Sequence, residues 1–256
     1  MGHPMLAAMV AAGLPARGYD LAEKDSNLPI TTSPTEAADG ISTLISVVRD
    51  DAQTDDILFG RGNFTASPTL RTIVISSTLS PKYIRSLRER VPDHINLVDA
   101  PMSGAVIAAQ EARLSFMLGG DDATLDQLQP LFDAMGAHQH RMGKFGNGAQ
   151  AKVLNNLLAA GSTAMTRLVM AWAQEADLDA EKLLHLIETS SGQNWLASGW
   201  NSIEFAQHGF EEDNSIGILV KDINAALDAL PDDADTTLPE AVRTVIANLK
   251  PAPSTW

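Results

Sequence analysis

From residue 1 to residue 143, short apolar runs alternate with longer amphipathic stretches, a rhythm that belongs to strands separated by helices. Residues 4–12 read as a helix ended by Gly13, and residues 17–20 as the end of a short strand. Ser33-Pro34-Thr35-Glu36 is a capping box with proline in the first turn, so another helix starts there. The apolar run over 41–48 predicts a buried strand, 51–59 a helix and 72–76 a strand, and Ser80-Pro81 opens a helix that reaches about residue 90. Strands over 95–98, 114–118 and 137–141 follow, with a helix over 123–135 between the last two. Such alternation favours a parallel sheet with helices on its faces.

Beyond Gly148 the period changes. Residues 149–175, 180–189, 195–207, 218–229 and 239–249 all carry helical spacing, and the rest of the acid- and proline-rich stretch 231–256 is the least ordered part of the chain. The expected fold is α/β, with a Rossmann-like N-terminal domain over residues 1–145 and an all-α C-terminal domain over residues 146–256.

Composition narrows the classes of function. With 256 residues, 45% of them hydrophobic, the chain can bury a substantial core. Its net charge of -14 repels nucleic acid and anionic membranes, so neither is expected as a partner, and any anionic ligand must meet local cations. The absence of cysteine removes disulfides and thiol nucleophiles, and metal-free chemistry is the simpler expectation. No stretch approaches the ~20 uninterrupted apolar residues of a membrane span, because Asn155, Asn156 and Arg167 interrupt the longest candidate. Residues 1–14 are apolar but lack the basic start of a signal peptide, so a soluble, cytoplasmic protein is expected.

The segment Gly146-Asn147-Gly148-Ala149-Gln150-Ala151-Lys152-Val153-Leu154-Asn155-Asn156 sets one lysine, and a carboxamide four residues later, into an otherwise apolar helix. Lys152 and Asn156 fall one turn apart on one face. A desolvated ammonium is costly without a partner, and its pKa moves toward values useful for proton transfer. The plain alternative is a lysine that snorkels to the surface beside an asparagine that merely packs. A second segment, Asp99-Ala100-Pro101-Met102-Ser103-Gly104-Ala105, and a third, Val220-Lys221-Asp222-Ile223, bear on that choice.

In this order the three segments resemble the β-hydroxyacid dehydrogenase family, which includes 3-hydroxyisobutyrate, tartronate semialdehyde and threonate dehydrogenases and is 6-phosphogluconate dehydrogenase-like. The matching elements are D-x-P-x-S-G-G, G-x-G-x-x-x-K-x-x-N-N and a later K-D pair, and the resemblance runs from Met1 to about residue 230. Ser77-Thr78-Leu79-Ser80-Pro81 and Ser191-Gly192-Gln193-Asn194-Trp195 look closest to the threonate dehydrogenase-like branch.

The resemblance implies an NAD(P)-dependent oxidoreductase acting on a small 3-hydroxy acid or its semialdehyde or oxo acid. Lys152 would be the general acid or base, Ser103 with the backbone amides of Gly104 and Ala105 would bind the substrate carboxylate, and Asn156 would orient the substrate. Asn194 and Trp195 would line the substrate mouth. Ala105 stands where the family has a second glycine, and an alanine loses access to positive φ, so an altered turn is expected. Gly2, Asp20, Val48, Arg49, Thr78 and Lys221 match cofactor positions. Asp20, closing its strand with no arginine directly after it, favours NAD over NADP. The long helix from about residue 149 implies a homodimer.

The first strand and the earlier glycines of a dinucleotide loop are missing from the sequence, which resumes at Met1-Gly2-His3-Pro4-Met5. The link from Asp20 to Ser33 is also short for the family, and the chain stops before the family's last helix. Either the reading frame extends upstream, or the cofactor site is reorganised and the protein is a non-redox enzyme or binding protein on the retained acid pocket. His138-x-His140 shares a strand face without a third ligand nearby in sequence, so no metal is expected. The acidic runs Asp121-Asp122, Glu211-Glu212-Asp213 and Asp232-Asp233 read as solvated helix starts and loops.

Overall fold

The computed structural model describes residues 1–252, so residues 253–256 of the predicted tail lie outside the described residues. The chain divides into two compact units, residues 1–152 and residues 153–256.

The first unit begins with α1 (Gly2–Ala11), β1 (Gly18–Tyr19), β2 (Ile30–Thr31), α2 (Pro34–Ala38), β3 (Thr43–Ser46) and α3 (Asp51–Leu58). It continues with β4 (Thr72–Ile75), α4 (Pro81–Arg90), β5 (Asn96–Asp99), β6 (Met102–Ser103), α5 (Ala105–Gln110), β7 (Leu114–Gly119), α6 (Asp122–Met135), β8 (Gly136–Gly143) and the start of α7 (Asn147–Glu175). Side-chain caps set most of the helix starts. Ser33 accepts from the Glu36 amide, Asp50 from Gln53, Ser80 from Lys82 and Asp121 from Thr124.

Neighbouring residues of β4 feed opposite faces of the sheet, as a strand's period of two requires. Val74 packs with Met5, Val98, Phe116 and Phe132, whereas Ile73 and Ile75 pack with Leu58, Ile84, Leu87 and Leu97. Helices therefore cover β4 on both sides, which accounts for its unbroken apolar run.

The expected all-parallel sheet is mixed. β3, β4 and β5 are parallel, but β7 runs antiparallel to β5 and β6 and parallel to β8. Only residues 104–113 join β6 to β7, fewer than a parallel crossover needs, so the chain reverses instead. α5 and β6 themselves were not foreseen, because residues 102–110 fall inside what reads as a loop. β3 was expected to be buried but is mostly half-buried, since it pairs with β4 alone among the described strands. β1 and β2 pair in parallel with each other as a separate two-stranded sheet.

The second unit holds the remainder of α7, then α8 (Ala180–Glu188), α9 (Trp195–Ser198), α10 (Ser215–Asp228) and α11 (Thr237–Ala247). The single helix expected over 195–207 is broken. α9 ends at Gly199, where a Cβ would stand 2.1 Å from Ile203 Cδ1, and a separate 3-10 turn covers Glu204–Ala206. The unit has two clusters of buried apolar residues, Ala160, Ile216, Leu219, Ile223 and Ile246 in one and Met170, Leu196, Trp200 and Ala206 in the other. Buried Arg167 on α7 donates to the carbonyls of Phe205, His208 and Lys250 at 3.1, 2.6 and 2.6 Å, tying the stretch around the 3-10 turn and the stretch after α11 to the helix.

Candidate active site

In the first unit, the Lys152 Nζ donates to Ser103 Oγ at 3.0 Å, and the lysine is 7% exposed, so it does not snorkel into solvent. Two short elements set this pair: β6, which carries Ser103, and the second turn of α7, which carries Lys152. A buried amine facing a hydroxyl is arranged to hold and pass a proton at that hydroxyl's position.

A buried carboxylate lies behind the pair. Asp99, at the end of β5, is 1% exposed; its Oδ1 accepts from the Gly146 amide at 2.7 Å and its Oδ2 from the Ala149 amide at 2.6 Å. These amides lie at the α7 N-terminus, where backbone N–H groups lack helical partners and an anion is favoured. Burial raises the Asp99 carboxyl to about 6, against the two amide bonds and the Arg85 charge that pull it down. The glycines of this region serve that approach. A Cβ on Gly119 would stand 2.3 Å from Asp99 Oδ1, and one on Gly148 would stand 2.3 Å from the Met117 carbonyl.

Gly104 has φ 130 and Ala105 has φ 55, so the alanine adopts the positive φ that it was expected to avoid. An L-residue held there is strained by about 1–2 kcal/mol.

In the second unit, Asn156 Nδ2 donates to Asp222 Oδ2 at 2.6 Å, and Asp222 is 2% exposed. Lys221 is exposed beside it on α10. Asn194 instead caps α9, with its Oδ1 accepting from the Ala197 amide and from Thr166 Oγ1. Thr166 lies ten residues beyond Asn156 on α7, about 15 Å along the axis. Trp195 packs edge-on against Phe205 at 5.5 Å between ring centroids. Asn194 and Trp195 are therefore not gathered with Asn156. Asn194 lines an apolar cleft of about 550 Å3 with Leu158, Met165 and Leu238.

Of the residues matched to cofactor positions, Val48, Arg49 and Thr78 follow the carboxyl ends of β3 and β4, Gly2 starts α1, Asp20 follows β1, and Lys221 belongs to the second unit. The Val48 amide donates to Ser77 Oγ at 2.9 Å, joining the two strand ends beside Thr78, and the exposed Arg49 follows. A Cβ on Gly2 would meet only Val47 Cβ at 3.8 Å, so packing alone does not demand a glycine there. The Asp20 carboxylate accepts from the Ala22 amide and lies 3.5 Å from the Lys24 amine, with its side chain 45% exposed. Val48, Arg49 and Thr78 thus stand at the carboxyl ends of parallel strands, where a Rossmann-like sheet takes its dinucleotide. Among the described residues, no group of three histidine, aspartate or glutamate side chains is placed to hold a metal ion.

Sequence reasoning singled out neither Asp99 nor Asp222 as a site residue. Each occupied a quoted motif, as the first residue of D-x-P and the second of Lys-Asp, and the only further signal was a carboxylate inside an apolar run.

Residues 1–145 match the model of the NAD binding domain of 6-phosphogluconate dehydrogenase, and residues 146–250 match NAD-binding of NADP-dependent 3-hydroxyisobutyrate dehydrogenase. The chain belongs to the β-hydroxyacid dehydrogenase family. As a member it is an oxidoreductase of small hydroxy acids that uses NAD or NADP. Over 243 residues it is 27% identical to the mitochondrial 3-hydroxyisobutyrate dehydrogenase of Mus musculus, covering 90% of this chain and 72% of that one. It is 27% identical over 239 residues to the L-threonate dehydrogenase of Pectobacterium atrosepticum, covering 89% and 78%. The solved structure of Mycobacterium tuberculosis 3-hydroxyisobutyrate dehydrogenase with L-serine superposes at a TM-score of 0.82 and 26% identity, over 98% of this chain and 92% of that one. No helix among the described residues is long and apolar enough to cross a membrane.

Proposed function

We propose that this β-hydroxyacid dehydrogenase uses Lys152 as its general acid and base, exchanging a proton with the hydroxyl or carbonyl oxygen of a small 3-hydroxy acid. The observation that supports this is the buried amine of Lys152 at 3.0 Å from Ser103 Oγ. Bound NAD(P) supplies the hydride acceptor or donor. Ser103 and the amides of Gly104 and Ala105 bind the substrate carboxylate, using the N–H groups that a left-handed turn presents to an anion. Asn156, held by Asp222, orients the substrate. Asn194 and Trp195, at the start of α9 beside Thr166 of α7, take no part in the proton step.

Gly2, Asp20, Val48, Arg49, Thr78 and Lys221 hold the cofactor, with the Asp20 carboxylate at the adenosine ribose favouring NAD. Residues 1–145 form the dinucleotide-binding domain, and residues 146–256 the substrate and dimerisation domain. The protein works as a homodimer, because α7 carries an apolar stripe at heptad spacing, Leu154, Leu158, Met165, Leu168 and Trp172, with Gly161 unobstructed in its middle.

The substrates to assay are those in the relatives' names: 3-hydroxyisobutyrate, L-threonate and L-serine. NADH formation with one of them, reduced by about 10²-fold or more in Lys152→Ala, is the expected result. Equal turnover in the variant removes Lys152 from the proton step. A second, non-redox reading is favoured by the separation of β1 and β2 from the six-stranded sheet. Micromolar binding of NAD(H) by calorimetry rejects it.

A further inference from the structure

We infer that Asp99 is a positioning residue for Lys152, fixing where the amine stands against the Ser103 hydroxyl by clamping the first turn of α7 onto the end of β5. The inference rests on the proposed role of Lys152 and adds to it a residue that touches neither substrate nor cofactor.

The geometry is a short closed circuit. Asp99 and Ser103 are four residues apart on one stretch of chain, and Ala149 and Lys152 are three residues apart, within one turn of α7. The two carboxylate bonds, at 2.7 and 2.6 Å, close the circuit at one end, and the Lys152–Ser103 bond at 3.0 Å closes it at the other. Gly119 and Gly148 press directly against the carboxylate and the neighbouring backbone, leaving no room for it to shift without losing a bond. A buried acceptor for two amides works fully only as a carboxylate, because a protonated oxygen is a donor facing another donor. The surroundings are sparse in charge. α4 supplies Arg85, whose guanidinium reaches the Gly146 carbonyl at 3.5 Å and Gln150 Oε1 at 3.4 Å, and α7 supplies Lys152 itself. Since the Asp99 carboxyl is raised to about 6, proton uptake in mildly acid solution loosens the clamp.

The test uses the full-length enzyme with a hydroxy acid substrate and saturating NAD, comparing wild type, Asp99→Asn, Asp99→Glu and Lys152→Ala between about pH 5 and 9. Misplacing the amine by a fraction of an ångström lowers kcat by about 10- to 100-fold in Asp99→Asn, with the affinity for NAD changed less than about twofold. The wild type shows a step in kcat near pH 6 that Asp99→Asn lacks, and Asp99→Glu recovers part of the rate. An Asp99→Asn enzyme with wild-type kcat, or with the step intact, overturns the inference. If the variants do not fold, amide exchange in the wild type decides instead. Gly146 and Ala149 should lose protection over the same pH range in which kcat falls, and unchanged protection overturns the inference. Wild-type turnover in Lys152→Ala is a separate failure, that of the proposed proton transfer, because it leaves the coupling between Asp99 and the two amides as measured.

Discussion

Lys152 and Ser103 lie 49 positions apart in sequence and 3.0 Å apart in space, joined by a hydrogen bond from a buried amine to a hydroxyl. In the proposed reaction this hydroxyl both binds the substrate carboxylate and shares the amine. Ser103→Ala should therefore raise KM for the hydroxy acid by about tenfold and lower kcat less, since one hydrogen bond to a charged group contributes about 1.5–3 kcal/mol. Steady-state kinetics separates the two constants. A fall in kcat alone would mean that the serine serves the amine and not the substrate.

Asn156 and Asp222 form a second pair, 2.6 Å apart with the carboxylate buried. Asn156→Asp sets two carboxylates at that distance, so one must take up a proton or the pair must separate. The variant should be less stable than wild type by about 2–4 kcal/mol at pH 8, with much of the loss recovered at pH 5. Urea unfolding at the two pH values measures the difference.

Ala105 holds φ 55, where a glycine is unstrained. Ala105→Gly relieves about 1–2 kcal/mol of strain but gives the unfolded chain more freedom, leaving a net gain of about 0.5–1 kcal/mol. A thermal midpoint higher by about 2 °C is expected. A lower midpoint would mean that the alanine methyl packs usefully.

The pH dependence of stability follows from Asp99. The folded protein keeps this proton up to about pH 6, whereas the unfolded chain releases it near 3.8. Between those values the folded state binds more protons, so stability falls as pH rises through that window and is level above it. The span corresponds to up to about 3 kcal/mol for a group this deeply buried. Asp56, Asp133 and Asp235, held below the usual carboxylate range by hydrogen bonds, act in the opposite sense but at lower pH. The thermal midpoint should therefore be higher at pH 5 than at pH 7 while turnover is lower, and Asp99→Asn should flatten the first trend.

The exposed stripe of α7 tests the assembly. Leu158 and Met165 are 75% and 61% exposed and seven residues apart, so they lie on one line of the helix. Leu158→Glu and Met165→Glu together should shift the particle to monomer mass by light scattering. A wild type already monomeric at micromolar concentration would remove the dimer.

Much of the fold was legible in the sequence because its signals are local. The caps at Ser33, Asp50, Ser80 and Asp121 and the apolar periods of β4, α4 and α6 depend only on residues within a turn or two. The reversal at β7 was not legible, because strand direction depends on what pairs across the sheet. Nor was the break after α9, because Gly199 is constrained by contact with Ile203 and not by its own propensity.

By itself the sequence determined the α/β order followed by helices, the residue types needed for proton transfer, and one face of α7 shared by Lys152 and Asn156. Helical periodicity and motif order carry such information along the chain. Tertiary structure alone decided that Asp99 holds the α7 N-terminus, that Ser103 meets the lysine, and that Asp222 meets Asn156. A buried carboxylate is tolerated only where distant backbone or side-chain donors converge on it, and that convergence exists only once the chain has folded.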